Sequence, residues 1–78
     1  MDTELIQRIR GKANYFLRDD IKVLVKTFNK NYYFLKLTRV SEDHLFGFNF
    51  TGKREGEDAK ILLLDVFEIV EYEGAKDE

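Results

Sequence analysis

Seventy-eight residues are enough for one domain with a single small core and for no second one. A hydrophobic content of 44%, including seven Phe and four Tyr, places the chain among folded proteins, because disordered segments lack the large apolar side chains that offset conformational entropy. The absence of cysteine excludes disulfide scaffolds, thiolate zinc sites and cysteine nucleophiles together, and fits a reducing, intracellular (cytoplasmic) setting.

The net charge of -2 hides an uneven distribution. From Gln7 to Val40, nine basic residues (Arg8, Arg10, Lys12, Arg18, Lys22, Lys26, Lys30, Lys36, Arg39) stand against Asp19 and Asp20, a balance of +7. From Ser41 onward, four basic residues face eleven acidic ones, a balance of -7. Such asymmetry marks either a nucleic-acid face or a complementary contact between chains. No window approaches the run of about 18 apolar residues that a membrane span needs, and the acidic start is unlike a secretion signal, so no membrane association is expected.

Leu5, Ile6, Ile9, Ala13, Phe16 and Leu17 recur at spacings of three and four, which predicts an amphipathic helix over about 3–17. Asp2 or Thr3 is its expected N-cap, and Gly11 either weakens it by about 1 kcal/mol or ends it early; one unbroken helix is the preferred reading. After Asp19-Asp20 the period changes to two. Ile21, Val23, Val25 and Thr27 point one way and Lys22, Leu24, Lys26 and Phe28 the other, which predicts a strand.

Asn29-Lys30-Asn31 is a hairpin turn, followed by a strand from Tyr32 to Val40 with Tyr33, Leu35 and Leu37 alternating against Lys36 and Thr38. Ser41 to His44 reads as a turn and Leu45 to Phe50 as a third strand whose Phe46, Phe48 and Phe50 share one face, expected to be core. Thr51 to Ala59 is an exposed loop. Lys60 to Leu64 is an apolar run expected to be covered on both sides, Leu64 to Phe67 a tight turn, Glu68 to Glu73 the closing strand and 74–78 a frayed tail. One helix followed by five hairpin-linked strands over about 21–73 predicts a mainly β domain, an antiparallel barrel closed to remove its edges.

This order of elements resembles the Sm-like family, in which a short helix precedes a strongly bent five-stranded barrel. Ile21 to Lys26 is similar to that family's first strand, Tyr33 to Val40 to its second, and Ile61-Leu62-Leu63-Leu64-Asp65-Val66-Phe67-Glu68-Ile69-Val70-Glu71 to its closing pair. The resemblance implies RNA binding and a homo-oligomer closed by pairing the fourth and fifth strands of neighbours. The family's uridine-holding loop carries an Asp and an Asn; here Asp43 corresponds and no Asn follows, His44 and Leu45 standing next. Its Arg-Gly pair before the last strand is replaced by Leu64-Asp65-Val66.

From the residues themselves, Lys26, Lys30, Tyr32, Phe34, Lys36 and Arg39 mix aromatic rings with cations, the combination that stacks bases and neutralises phosphates of a single strand. The competing reading packs Tyr32 and Phe34 under the helix and leaves the lysines solvated. Asp43 and His44 complete the candidate set. With one His, one Ser, no Cys and no glycine-rich phosphate loop, neither an enzyme nor a metal or other cofactor site is expected. The two functions carried forward are binding of RNA or single-stranded nucleic acid and assembly with a protein partner through complementary charged halves.

Overall fold

In the computed structural model, residues 3–73 are described. Asp2, one of the two expected caps, and the expected tail at 74–78 lie outside them. Helix α1 spans Thr3–Arg18, and the strands are β1 (Val23–Thr27), β2 (Tyr32–Val40), β3 (His44–Asn49), β4 (Asp58–Leu62) and β5 (Val66–Glu71), with a 3₁₀ turn at Leu63–Asp65 between the last two.

The helix runs through Gly11, whose missing Cβ faces open space. Ile9, Ala13 and Phe16 are buried beneath it. It stops where Asp20 adopts a left-handed φ of 59°. The Ile21 N–H then donates to the Phe16 carbonyl (2.9 Å) and the Asp20 N–H to that of Leu17 (3.2 Å). Those two bonds satisfy carbonyls that the helix end leaves free and turn Ile21 back toward the core.

The five strands form one antiparallel sheet in the order β4-β3-β2-β1-β5. Alternation assigns its faces: Val23, Val25 and Thr27 of β1, and Leu35 and Leu37 of β2, are buried together with Leu45, Ile61 and Ile69. The β1–β2 turn has Lys30 at φ 69°, with the Thr27 N–H donating to the Asn31 carbonyl at 3.0 Å. A left-handed residue closing a short loop is the geometry expected of Asn29-Lys30-Asn31.

Four expectations about the sheet are corrected. Its edges are not joined into a closed barrel: among the described residues β4 pairs with β3 and β5 with β1, and no ladder joins β4 to β5. Nor is the link between them a hairpin, because the 3₁₀ turn carries the chain from one edge of the sheet to the other. That turn and the start of β5 place Leu63 and Val66 in the core, so side chains and α1 cover the open side. The apolar run Lys60 to Leu64 is not a strand covered on both faces. Only Ile61 and Leu63 are buried, while Leu62 and Leu64 are exposed, as suits an edge strand running into a turn.

The fourth correction concerns Phe46, Phe48 and Phe50. They lie opposite the core, whose share of β3 and its end is Leu45, Gly47 and Asn49. Register dictates this: Leu35 faces Asn49 and Leu37 faces Gly47, so the buried row of β2 draws that row of β3 inward. Gly47 is required there, since a Cβ would stand 3.0 Å from the Lys36 carbonyl oxygen and 3.3 Å from Leu35 Cβ.

Candidate nucleic-acid interface

The face of the sheet turned away from the core brings together most of the predicted site. In register, Leu24 faces Phe34, Lys26 faces Tyr32, Lys36 faces Phe48 and Arg39 faces Phe46. Tyr32 and Phe48 remain 53% and 42% exposed, so their rings are open to a stacking partner. Tyr32 and Phe34 thus do not pack under α1. Phe34 is half-buried instead by Tyr72, edge-on at 5.6 Å between centroids, and by the backbone at Gly52.

Cations are interleaved with these rings. Lys26 Nζ stands 5.9 Å from the Tyr32 centroid, the Arg39 guanidinium 5.1 Å from Phe46, Lys60 Nζ 5.8 Å from Phe46 and Lys22 Nζ 5.1 Å from Phe50. Attraction to the ring faces holds the cations near the sheet without neutralising them. Two carry carboxylate partners, Lys26 with Glu68 (3.5 Å) and Lys36 with Asp20. Both pairs are part-exposed, so a phosphate can exchange with the carboxylate at small cost.

The remaining predicted residues sit in the turns at the two ends of β2. The sheet bends enough that His44 lines one pocket with Asn29 and Asn31, the neighbours of Lys30, although Lys30 is in the β1–β2 turn and Asp43 and His44 are at the β2–β3 turn. There, Ser41 Oγ accepts from the His44 N–H (3.0 Å), the Asp43 carbonyl accepts from the Leu63 N–H (2.8 Å), and the His44 ring lies 5.9 Å from Phe46. Asp43 is exposed and bonded through its backbone, while His44 shares the Phe46 ring with Arg39.

Lys30 joins a different group that sequence reasoning missed. An open pocket of about 550 Å³ lies between the β1–β2 turn and the β3–β4 loop. Lys30, Tyr32 and Phe34 line one side and Asn49, Gly52, Lys53 and Arg54 the other. The loop is shaped by the Gly56 N–H donating to the Asn49 carbonyl and the Asn49 N–H to the Glu57 carbonyl, both at 2.9 Å. The only sequence signal for Lys53 and Arg54 was a basic pair beside a glycine.

Among the described residues, no three His, Cys, Asp or Glu side chains gather into a group able to hold a metal ion, and no helix is long and apolar enough to cross a membrane. The charged halves of the sequence do not form two poles. The strand order sets basic β1 and β2 between β5, with Glu68 and Glu71, and the β3–β4 side, with Glu55, Glu57 and Asp58. Compared with known protein families and with curated proteins, the chain matches neither.

Proposed function

We propose that this protein binds single-stranded nucleic acid, RNA foremost, through the outer face of its sheet, as a non-enzymatic Sm-like domain with an open five-stranded sheet, working as a homo-oligomer. The observation that carries the reading is the row of cations set among outward-facing rings, Lys26 with the exposed Tyr32, Lys36 with the exposed Phe48 and Arg39 with the half-buried Phe46. Bases stack on the rings without sequence preference and phosphates meet the cations. A helix before five antiparallel strands, with β4 and β5 left as the two edges, supports the Sm-like part of the reading. Unpaired edges are templates for a neighbouring copy, and the exposed Leu62, Leu64 and Phe67 beside them supply apolar area for that contact.

The alternative is an assembly module whose partner is another protein. The same free edges favour it, but its original basis, a basic half meeting an acidic half, is weakened by the flanking of basic strands with acidic ones. The test is the combined substitution of Lys26, Lys30, Lys36 and Arg39 by Gln, read by fluorescence anisotropy on a mixed-sequence single-stranded RNA and by light scattering. Loss of RNA binding with unchanged mass supports the first reading. Dissociation of the oligomer without a nucleic-acid effect supports the second, as does a wild-type protein indifferent to RNA.

A further inference from the structure

The pocket between the β1–β2 turn and the β3–β4 loop is more than an extension of the sheet face. Three cations line it, Lys30, Lys53 and Arg54, against the single carboxylate of Glu57, a balance of +2. Arg54 lines the pocket and has its guanidinium 4.9 Å from the centroid of Tyr33, a ring outside the pocket lining. Gly52, at φ 87°, passes so close to Phe34 that a Cβ would come within 2.8 Å of its Cδ2, so ring and loop backbone together make a firm wall. Tyr32 contributes an exposed aromatic ring.

Asn49 supplies the second, independent observation. It is 1% exposed, its Nδ2 donates to the Glu57 carbonyl at 3.0 Å, and its Oδ1 has no hydrogen-bond partner. An unsatisfied buried acceptor is rare and marks the floor of this pocket as a place where packing is incomplete. We propose that this pocket is a nucleotide subsite: one nucleotide of a bound strand stacks its base on Tyr32 and places its phosphate between Lys30, Lys53 and Arg54, above the buried Asn49. This rests on the single-strand reading above and gives that strand a fixed point on an otherwise sequence-tolerant face.

The test is NMR of the full-length, isotope-labelled protein titrated separately with adenosine 5′-monophosphate, adenosine and inorganic phosphate. The nucleotide is expected to shift the Asn49 side-chain amide and the backbone amides of Gly52, Lys53 and Arg54, and to bind more tightly than adenosine. Shifts elsewhere, no shifts, or the same shifts with inorganic phosphate alone overturn the proposal. In parallel, Lys53→Gln/Arg54→Gln is expected to weaken binding of a ten-nucleotide RNA about tenfold. Tyr32→Ala is expected to weaken it roughly 5- to 100-fold while Tyr32→Phe retains it, since a ring stacks with or without its hydroxyl. If Lys36→Gln/Arg39→Gln reduces RNA binding and the pocket variants do not, the subsite falls and the sheet-face reading stands. If the wild-type protein binds no RNA, the parent reading falls.

Discussion

Phe48 and Leu45 lie three residues apart on the same strand, and exchanging each for Ala distinguishes the outer face from the core. Leu45 has no exposed surface, and emptying its site is expected to cost about 2 to 5 kcal/mol. For a chain of this length, whose total stability is on the order of 4 to 12 kcal/mol, that is a large share. Phe48 keeps 42% of its surface in the free protein. Scaling the roughly 1.5 to 3 kcal/mol for full burial of such a side chain to the remaining fraction gives about 0.9 to 1.7 kcal/mol for Phe48→Ala. Urea denaturation followed by circular dichroism measures both. Anisotropy on single-stranded RNA supplies the second readout: Phe48→Ala removes one stacking ring, worth about 1 to 3 kcal/mol of binding, while the folded fraction of Leu45→Ala keeps wild-type affinity. A Phe48→Ala variant destabilised by more than about 3 kcal/mol with undiminished affinity would refute both the face assignment and the stacking role.

Two glycines give further checks. Gly11→Ala fills open space on the exposed side of α1 and is expected to raise stability by about 0.5 to 1 kcal/mol, read as a higher urea midpoint. Gly52→Ala sets a Cβ at a left-handed φ of 87° against the Phe34 ring. It is expected to lower stability by about 1 to 3 kcal/mol and to change the near-ultraviolet signal of the aromatic group around Phe34 and Tyr72.

The elements with one apolar face were legible from spacing alone. Ile9, Ala13 and Phe16 mark the buried stripe of α1, and Val23, Val25 and Thr27 that of β1, because in both the opposite face is mostly polar. β3 was not legible, because it offers large apolar groups on one side and a mixed row on the other. Phe46, Phe48 and Phe50 advertise a core more strongly than Leu45, Gly47 and Asn49, yet a row cannot choose its face independently of its neighbour. Leu35 and Leu37 decide it through register, and the missing Cβ of Gly47 makes room. The run Lys60 to Leu64 failed differently: a continuous apolar stretch carries no phase, so nothing in it announced that a 3₁₀ turn begins at Leu63. Of the candidate site, the cations and rings of β1 and β2 came from alternation, but the pocket residues Lys53, Arg54 and Asn49 came together only through the fold of the β3–β4 loop.

The charge layout also explains how a chain of net charge -2 can attract a polyanion, and it sets a measurable salt dependence. Strand order gathers Lys26, Lys36 and Arg39 centrally and moves the carboxylates of β4 and β5 to the edges, so a strand lying along β2 meets cations first. Within a screening length of about 10 Å, local charge counts for more than the total. Three to five phosphates neutralised on a single strand give a slope of log affinity on log salt of roughly -2.1 to -3.5, since each contributes about -0.7. Raising salt fourfold, from about 50 to 200 mM, then weakens binding about 20-fold to 130-fold. Lys36 already faces Asp20, so a phosphate displaces a carboxylate there as well as solvent ions, and Lys36→Gln is expected to flatten the slope by less than the full 0.7 or so of an unpaired cation. Arg39, placed over Phe46, has no carboxylate within 4 Å among the ion pairs of the described residues, and Arg39→Gln is expected to show the full change. Affinity independent of salt, or equal slopes for the two variants, would mean that the strand does not follow this row.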